Sequence, residues 1–151
     1  DLINDAQDMI ADQASKKQLA LPIDIQPQLP LLMADRIKVL QILLNLLSNA
    51  VKFTLDQGTV ITQARINEAG EFAISVKDTG VGIAPQELAT VMEPFGQGGS
   101  TYTRSHDGTG LGLALIKTMT EMHGGAVSLE SELGKGTIVT VSFPSERISA
   151  P

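Results

Sequence analysis

Twelve of the fourteen glycines fall between Gly80 and Gly136, within 57 of the chain's 151 residues. Glycine reaches positive φ and lets backbone approach closely, at a cost in chain entropy. Such a concentration inside an otherwise well-patterned stretch implies backbone wrapped around something. The length suits one domain, or one domain with a short connector. It can bury roughly two-thirds of the unfolded surface without staples. With no cysteine, disulfide frameworks, thiolate metal sites and cysteine nucleophiles are excluded. A net charge of −6 argues against nucleic-acid partners and against direct membrane contact, since both need a basic field. No apolar run approaches the ~18 residues of a membrane span, and no secretory signal opens the chain. A start at Asp1 rather than Met sets the expectation of a segment cut from something larger.

Leu2, Ile3, Ala6, Met9, Ile10 and Ala14 lie at helical spacing, predicting an amphipathic first helix with an acidic solvated side. Leu19 to Ile25 reads as a strand ending in a Pro27–Pro30 turn. Ala34-Asp35-Arg36 opens a long apolar-rich helix to about Phe53, with Asp35 as its N-cap. Thr59–Ile66 and Phe72–Lys77 read as a hairpin around Asn67-Glu68-Ala69-Gly70. A short helix is predicted over Pro85–Met92 and a polar loop over Gly96–Asp107. A further helix runs over Leu111–Met122 and stops at Gly124-Gly125. Ala126–Glu130 and Thr137–Phe143 form a second hairpin, and the tail after Pro144 is expected to fray. Hairpin strands in one layer and helices in the other predict a two-layer α/β sandwich. The alternating β-α-β units of a doubly wound parallel sheet are not expected.

Three motifs carry chemistry. Asp78-Thr79-Gly80-Val81-Gly82-Ile83 follows a strand and precedes a helix. It is either an ordinary capped turn or a carboxylate at the floor of a pocket whose glycines admit a flat ligand. Gly108-Thr109-Gly110-Leu111-Gly112-Leu113 opens a helix, whose unpaired N–H groups and positive dipole end suit an anion. It is no dinucleotide fingerprint, because the spacing is G-x-G-x-G and no strand precedes it. Gly134-Lys135 is followed by Gly136, so a Walker A loop fails as well. On the long helix, Asn45, Asn49 and Lys52 share one face among Ile42, Leu43, Leu46, Leu47 and Val51. Polar groups there cost desolvation unless partnered. They serve either as buried amides bonded to backbone, or as a carbonyl oxygen for Mg²⁺ and an ammonium for phosphate. Nucleotide-bound Mg²⁺ needs only one or two protein ligands.

Together these boxes resemble the catalytic ATP-binding domain of a two-component sensor histidine kinase. That family belongs to the wider group of gyrase, mismatch-repair and heat-shock-chaperone ATPases. The resemblance covers about Leu19 to Phe143. It is carried in family order by Asn45–Lys52, Asp78–Ile83, Glu93-Pro94-Phe95 and Gly108–Leu113, with His123-Gly124-Gly125 and Gly134–Thr137 in support. It implies the Bergerat-type sandwich, with a mixed, mostly antiparallel sheet and helices on one face. It implies ATP and Mg²⁺ as cofactors.

The resemblance also implies roles for individual residues. Asp78 would accept from the adenine amino group, with Thr137 assisting at the adenine edge. Asn49 would ligate Mg²⁺ and Lys52 would contact phosphate. Asn45 would orient the attacking imidazole or a water, or serve structure alone. Gly80, Gly82 and Ile83 would pass close to the nucleotide, as would Phe95. Gly108, Thr109, Gly110, Leu111, Gly112 and Leu113 would turn backbone toward the phosphates. Gly96–Asp107 would be a lid. In it Gln97, Gly98 and Gly99 depart from the family pattern, which leaves Arg104 as either a lid contact or a surface residue.

Neither His106 nor His123 fits the family's acceptor pattern. His106 is then a lid residue, His123 a helix-end residue, and Lys16-Lys17 a solvated pair. The implied organisation is a connector helix over 1–17 from an upstream dimerisation domain, a catalytic domain over 18–145 and a tail over 146–151. The implied partners are that helical dimerisation and phosphoacceptor domain, a response regulator receiver domain, and a second copy in a full-length homodimer. The implied location is cytoplasmic, with any membrane anchor elsewhere in the full-length protein. Two rivals differ in class. One is a degenerate module that senses or scaffolds. The other is a gyrase- or chaperone-type hydrolase, which would need a Glu four residues before the metal-ligating Asn, where this chain has Asn45.

Overall fold

In a computed structural model the described residues are 2–80, 112–132 and 134–149. The readings over 85–92, 93–95, 96–107 and 108–111 lie outside them.

Helix α1 (Leu2–Lys16) buries Ile3, Ala6, Ile10 and Ala14, the three- and four-residue spacing of one helical stripe. That stripe packs on α2 (Arg36–Phe53). Asp35 caps α2 as expected, its Oδ1 accepting from the backbone N–H of Ile37 at 3.0 Å and of Lys38 at 3.2 Å. Ile42, Leu43, Leu46 and Leu47 are buried on α2. The first hairpin is β3 (Val60–Ile66) and β4 (Phe72–Asp78). Its turn is organised by Asn67, whose Oδ1 accepts from Ala69 N and Glu71 N. Helix α3 (Gly112–Met122) ends in a Schellman motif: Gly125 N donates to Thr120 O, Gly124 N donates to Glu121 O, and Gly124 holds φ +77°. The second hairpin is β5 (Ala126–Glu132) and β6 (Gly136–Phe143).

The main sheet has the order β1-β3-β4-β6-β5, with β1 (Ile23–Ile25) parallel to β3 and every other pair antiparallel. One β-α-β crossover, β1-α2-β3, therefore sits at the edge of a mostly antiparallel sheet. The first strand is shorter than the predicted Leu19–Ile25. Pro22 has no N–H to donate, so only the isolated Ala20–Thr59 bridge precedes β1. Register sorts the helix-facing side chains into rows: Ile66, Phe72 and Phe143; then Ala64, Ile74, Val141 and Val127; then Thr62, Val76, Val139 and Leu129. The last row is Val60, Asp78, Thr137 and Ser131. Helix α2 lies over β3 and β4, and α3 over β5 and β6. The opposite face carries polar pairs such as the hydroxyls of Ser75 and Thr140, 2.9 Å apart.

Two expectations need correction. The tail does not fray at once: Ser145–Arg147 form a 3₁₀ turn, and β7 (Ile148–Ser149) pairs antiparallel with β2 (Leu31–Leu32). Arg147 secures it, donating from Nε to His123 O at 2.6 Å and from Nη1 to Met33 O at 3.0 Å. Nor is Lys17 merely solvated. It is half-buried, and its ammonium lies against the C-terminal end of α2.

Candidate functional site

The row that holds Asp78 and Thr137 lies beneath the last turns of α2, and a pocket opens there. Its walls are apolar. Leu46, Ala50 and Phe53 come from α2, Val76 from β4, Leu129 from β5 and Val139 from β6. Its polar groups are Asp78, Thr137 and Asn49. The apolar walls were not singled out in the sequence as site residues. Their signal was present in the i, i+3, i+4, i+7 set Leu46, Asn49, Ala50, Phe53 and in the inward positions of three strands, but that pattern equally describes core.

Asp78 is 6% exposed. Burial pushes its carboxyl above the ordinary carboxylate range, and the backbone N–H groups of Gly80 and Thr137 pull partly the other way. Oδ1 accepts from Gly80 N at 2.8 Å. Glycine is required at two places around it. A Cβ on Gly80 would stand 2.1 Å from Phe53 O, and one on Gly136, which holds φ +125°, would stand 2.0 Å from Asp78 O. Backbone of the α2 terminus, the strand end of β4 and the start of β6 thus converge on one carboxylate. The Thr137 hydroxyl lies 2.8 Å from Ser131 Oγ, which donates to Gly136 O at 3.0 Å.

Of the residues expected at the site, Asn49, Asp78 and Thr137 meet at the pocket, with Gly80 bonded to Asp78. Asn45 and Lys52 are half-buried on α2 but are not among the residues that line it. Gly112 and Leu113 fall in the first turn of α3. Gly82, Ile83, Phe95, Arg104, Gly108, Thr109, Gly110 and Leu111 lie outside the described residues. His123, expected at a helix end, is also buried and bridging. Its Nδ1 lies 2.9 Å from Met119 O, its Nε2 accepts from Asp35 N at 3.2 Å, and its ring meets Phe143 edge-on at 5.9 Å. These partners assign the proton to Nδ1.

Apolar walls closed by a buried carboxylate suit a ligand that joins an apolar face to a donor N–H. Among the described residues no group of three or more His, Cys, Asp or Glu could cage a metal ion. The amide oxygen of Asn49 fits a divalent cation that brings phosphate and water as its other ligands. No helix among the described residues is long and apolar enough to cross a membrane.

Residues 34–147 match the model of a family described as histidine kinase-, DNA gyrase B-, and HSP90-like ATPase. The chain is 43% identical over 135 residues to the circadian input-output histidine kinase CikA of Synechococcus elongatus, covering 89% of this chain and 18% of that protein. It is 40% identical over 142 residues to an uncharacterized sensor-like histidine kinase of Rhizobium meliloti, covering 94% of this chain and 27% of the relative. Full-length ShkA, solved in complex with AMPPNP, superposes with a TM-score of 0.83 at 33% identity, covering 99% of this chain and 30% of that one. The chain therefore spans between 18% and 30% of the length of these three proteins.

Proposed function

The chain belongs to the histidine kinase-, DNA gyrase B- and HSP90-like ATPase family, and from that premise we propose that it binds Mg·ATP and supplies the γ-phosphoryl to a histidine on a separate helical domain. The observation that carries this is the buried Asp78 carboxylate closing an apolar pocket whose other wall is the Asn49 turn of α2. Asp78 accepts from the adenine amino group, and Thr137 completes that edge. Leu46, Ala50, Phe53, Val76, Leu129 and Val139 sandwich the ring and exclude water. Asn49 offers its amide oxygen to Mg²⁺, and Lys52 offers its ammonium to phosphate. Bound Mg²⁺ neutralises phosphate charge. Phosphoryl transfer needs positioning and charge stabilisation more than covalent help, so no nucleophile is asked of this chain. Asn45 stands where a hydrolase of this family would need a carboxylate base, and an amide has no such basicity, which favours transfer over hydrolysis.

The remaining assignments extend this reading. By the family resemblance, Gly82, Ile83 and Phe95 would border the nucleotide, the box from Gly108 to Leu113 would turn backbone N–H groups to its phosphates, and Arg104 would be either a lid contact or a surface residue. The partners are an upstream helical dimerisation and phosphoacceptor domain reached through α1, a response regulator receiver domain, and a second copy of the full-length protein, in the cytoplasm. The test mixes the chain with γ-labelled ATP, Mg²⁺ and a supplied acceptor-helix domain. Acid-labile, base-stable phosphate on the acceptor is the expected result. Its absence with ATP binding intact would convert the reading to a sensing or scaffold module.

A further inference from the structure

The C-terminal turn of α2 forms one wall of the pocket, and it ends in carbonyls that no intrahelical N–H can satisfy. Partners are present for the carbonyls of residues 50, 51 and 52, and for Thr54 O just beyond them. Ala50 O accepts from both the backbone N–H of Thr54, at 3.0 Å, and its hydroxyl, at 2.5 Å. Val51 O and Lys52 O accept from the Lys17 ammonium at 2.7 and 2.9 Å, and the same nitrogen reaches Thr54 O at 3.0 Å. Phe53 O faces Gly80, where only the missing Cβ leaves it room. An ammonium has three protons, so Lys17 has a carbonyl for each of them at this one turn. Its own carbonyl accepts from Gln57 N at 2.8 Å, which fastens the loop after α2 from the other side. A cation at this end also offsets the negative pole of the helix dipole.

The same turn carries Asn49, Ala50 and Phe53 into the pocket, and its last carbonyl sets the path of Gly80, which bonds Asp78. We infer that Lys17 is a positioning residue of the nucleotide site: its ammonium fixes the terminal turn of α2 so that the ring wall and the Gly80–Asp78 floor keep their spacing. The inference rests on the reading of that pocket as the adenine site. Lys17 touches no nucleotide. It acts through the backbone of residues 51, 52 and 54.

The test is calorimetric ADP binding, with Mg²⁺ and in EDTA, at a temperature where circular dichroism shows each variant fully folded. Lys17→Met keeps the aliphatic stem and removes the donors. It is expected to weaken ADP about three- to tenfold in both conditions. Lys17→Arg, which retains a cation and several donors, is expected to restore affinity to within about threefold of the unsubstituted chain. Asn49→Ala serves as the contrast, weakening ADP more with Mg²⁺ present than in EDTA. A Lys17→Met chain that melts earlier yet binds ADP as well as the unsubstituted chain would overturn the inference, leaving Lys17 as a cap for stability alone. Loss of affinity that Arg does not restore would also overturn it. If Asp78→Asn leaves ADP affinity unchanged, the adenine reading fails, and this inference with it. If Asp78→Asn weakens binding and Lys17→Met does not, only the inference fails.

Discussion

Replacing Asp78 by Asn tests the site where its electrostatics are least ambiguous, because one substitution has consequences for binding and for stability at once. The carboxylate is 6% exposed and accepts from Gly80 N at 2.8 Å. Asparagine keeps one oxygen for that bond and loses the charge. A hydrogen bond from a ligand to a charged partner contributes about 1.5–3 kcal/mol, so ATP affinity should fall by roughly 10- to 150-fold. Burial raises the carboxyl above its ordinary range, against the N–H groups of Gly80 and Thr137. The folded chain then holds this proton more tightly than the unfolded chain. The stability Asp78 contributes is fully present below its unfolded pKa and is lost as pH rises through the raised folded one. Binding has the opposite sign, since the ionised form is the better acceptor for an amino N–H. Calorimetry from about pH 4.5 to 7.5 should show ATP affinity falling as pH falls in the unsubstituted chain, with the D78N variant much flatter. Thermal unfolding over the same range should show the unsubstituted chain losing stability relative to D78N as pH rises. GTP should bind poorly, because guanine presents an acceptor to an acceptor. Equal ATP and GTP affinity, or ATP binding untouched by D78N, would refute the assignment.

Further outcomes are expected elsewhere in the molecule. Asn49→Ala should abolish Mg²⁺-dependent phosphoryl transfer while circular dichroism and melting stay close to those of the unsubstituted chain; unchanged transfer would remove Asn49 from the metal. Gly136→Ala puts a Cβ 2.0 Å from Asp78 O at φ +125°, so it should cost about 1–3 kcal/mol of stability and weaken nucleotide binding too, read by denaturant titration and calorimetry. His123→Ala strips the acceptor from Asp35 N and the edge contact from Phe143. It should cost roughly 2–4 kcal/mol in unfolding free energy, and a loss below about 0.5 kcal/mol would show that the bridge between α3 and the α2 N-terminus contributes little.

Much of the architecture is written in local chemistry. The 3.6-residue stripes of α1 and α2, the Asp35 cap, the Asn67 turn and the Gly124-Gly125 stop depend on neighbours within a few residues, so their signals lie within short windows of sequence. Asn49 and Asp78 are legible as chemistry because an amide among apolar residues and a carboxylate ahead of two glycines call for partners, whereas Thr137 is singled out only by the resemblance of its box to a family pattern. What the sequence left open turns on residues far apart along the chain. Lys17 reads as solvated until α1 brings it to carbonyls 34 to 37 residues away. His123 reads as a helix end until it meets Asp35, 88 residues upstream. Arg147 reads as frayed tail until it finds Met33, at a separation of 114. The parallel placement of β1 beside β3 and the β2–β7 pair belong with these. Sequence alone determined which groups need a partner, since desolvation cost and backbone geometry are properties of the residue and its neighbours. Tertiary structure decided which partner each one met, because closing loops of thirty or more residues is settled by the packing of the whole core.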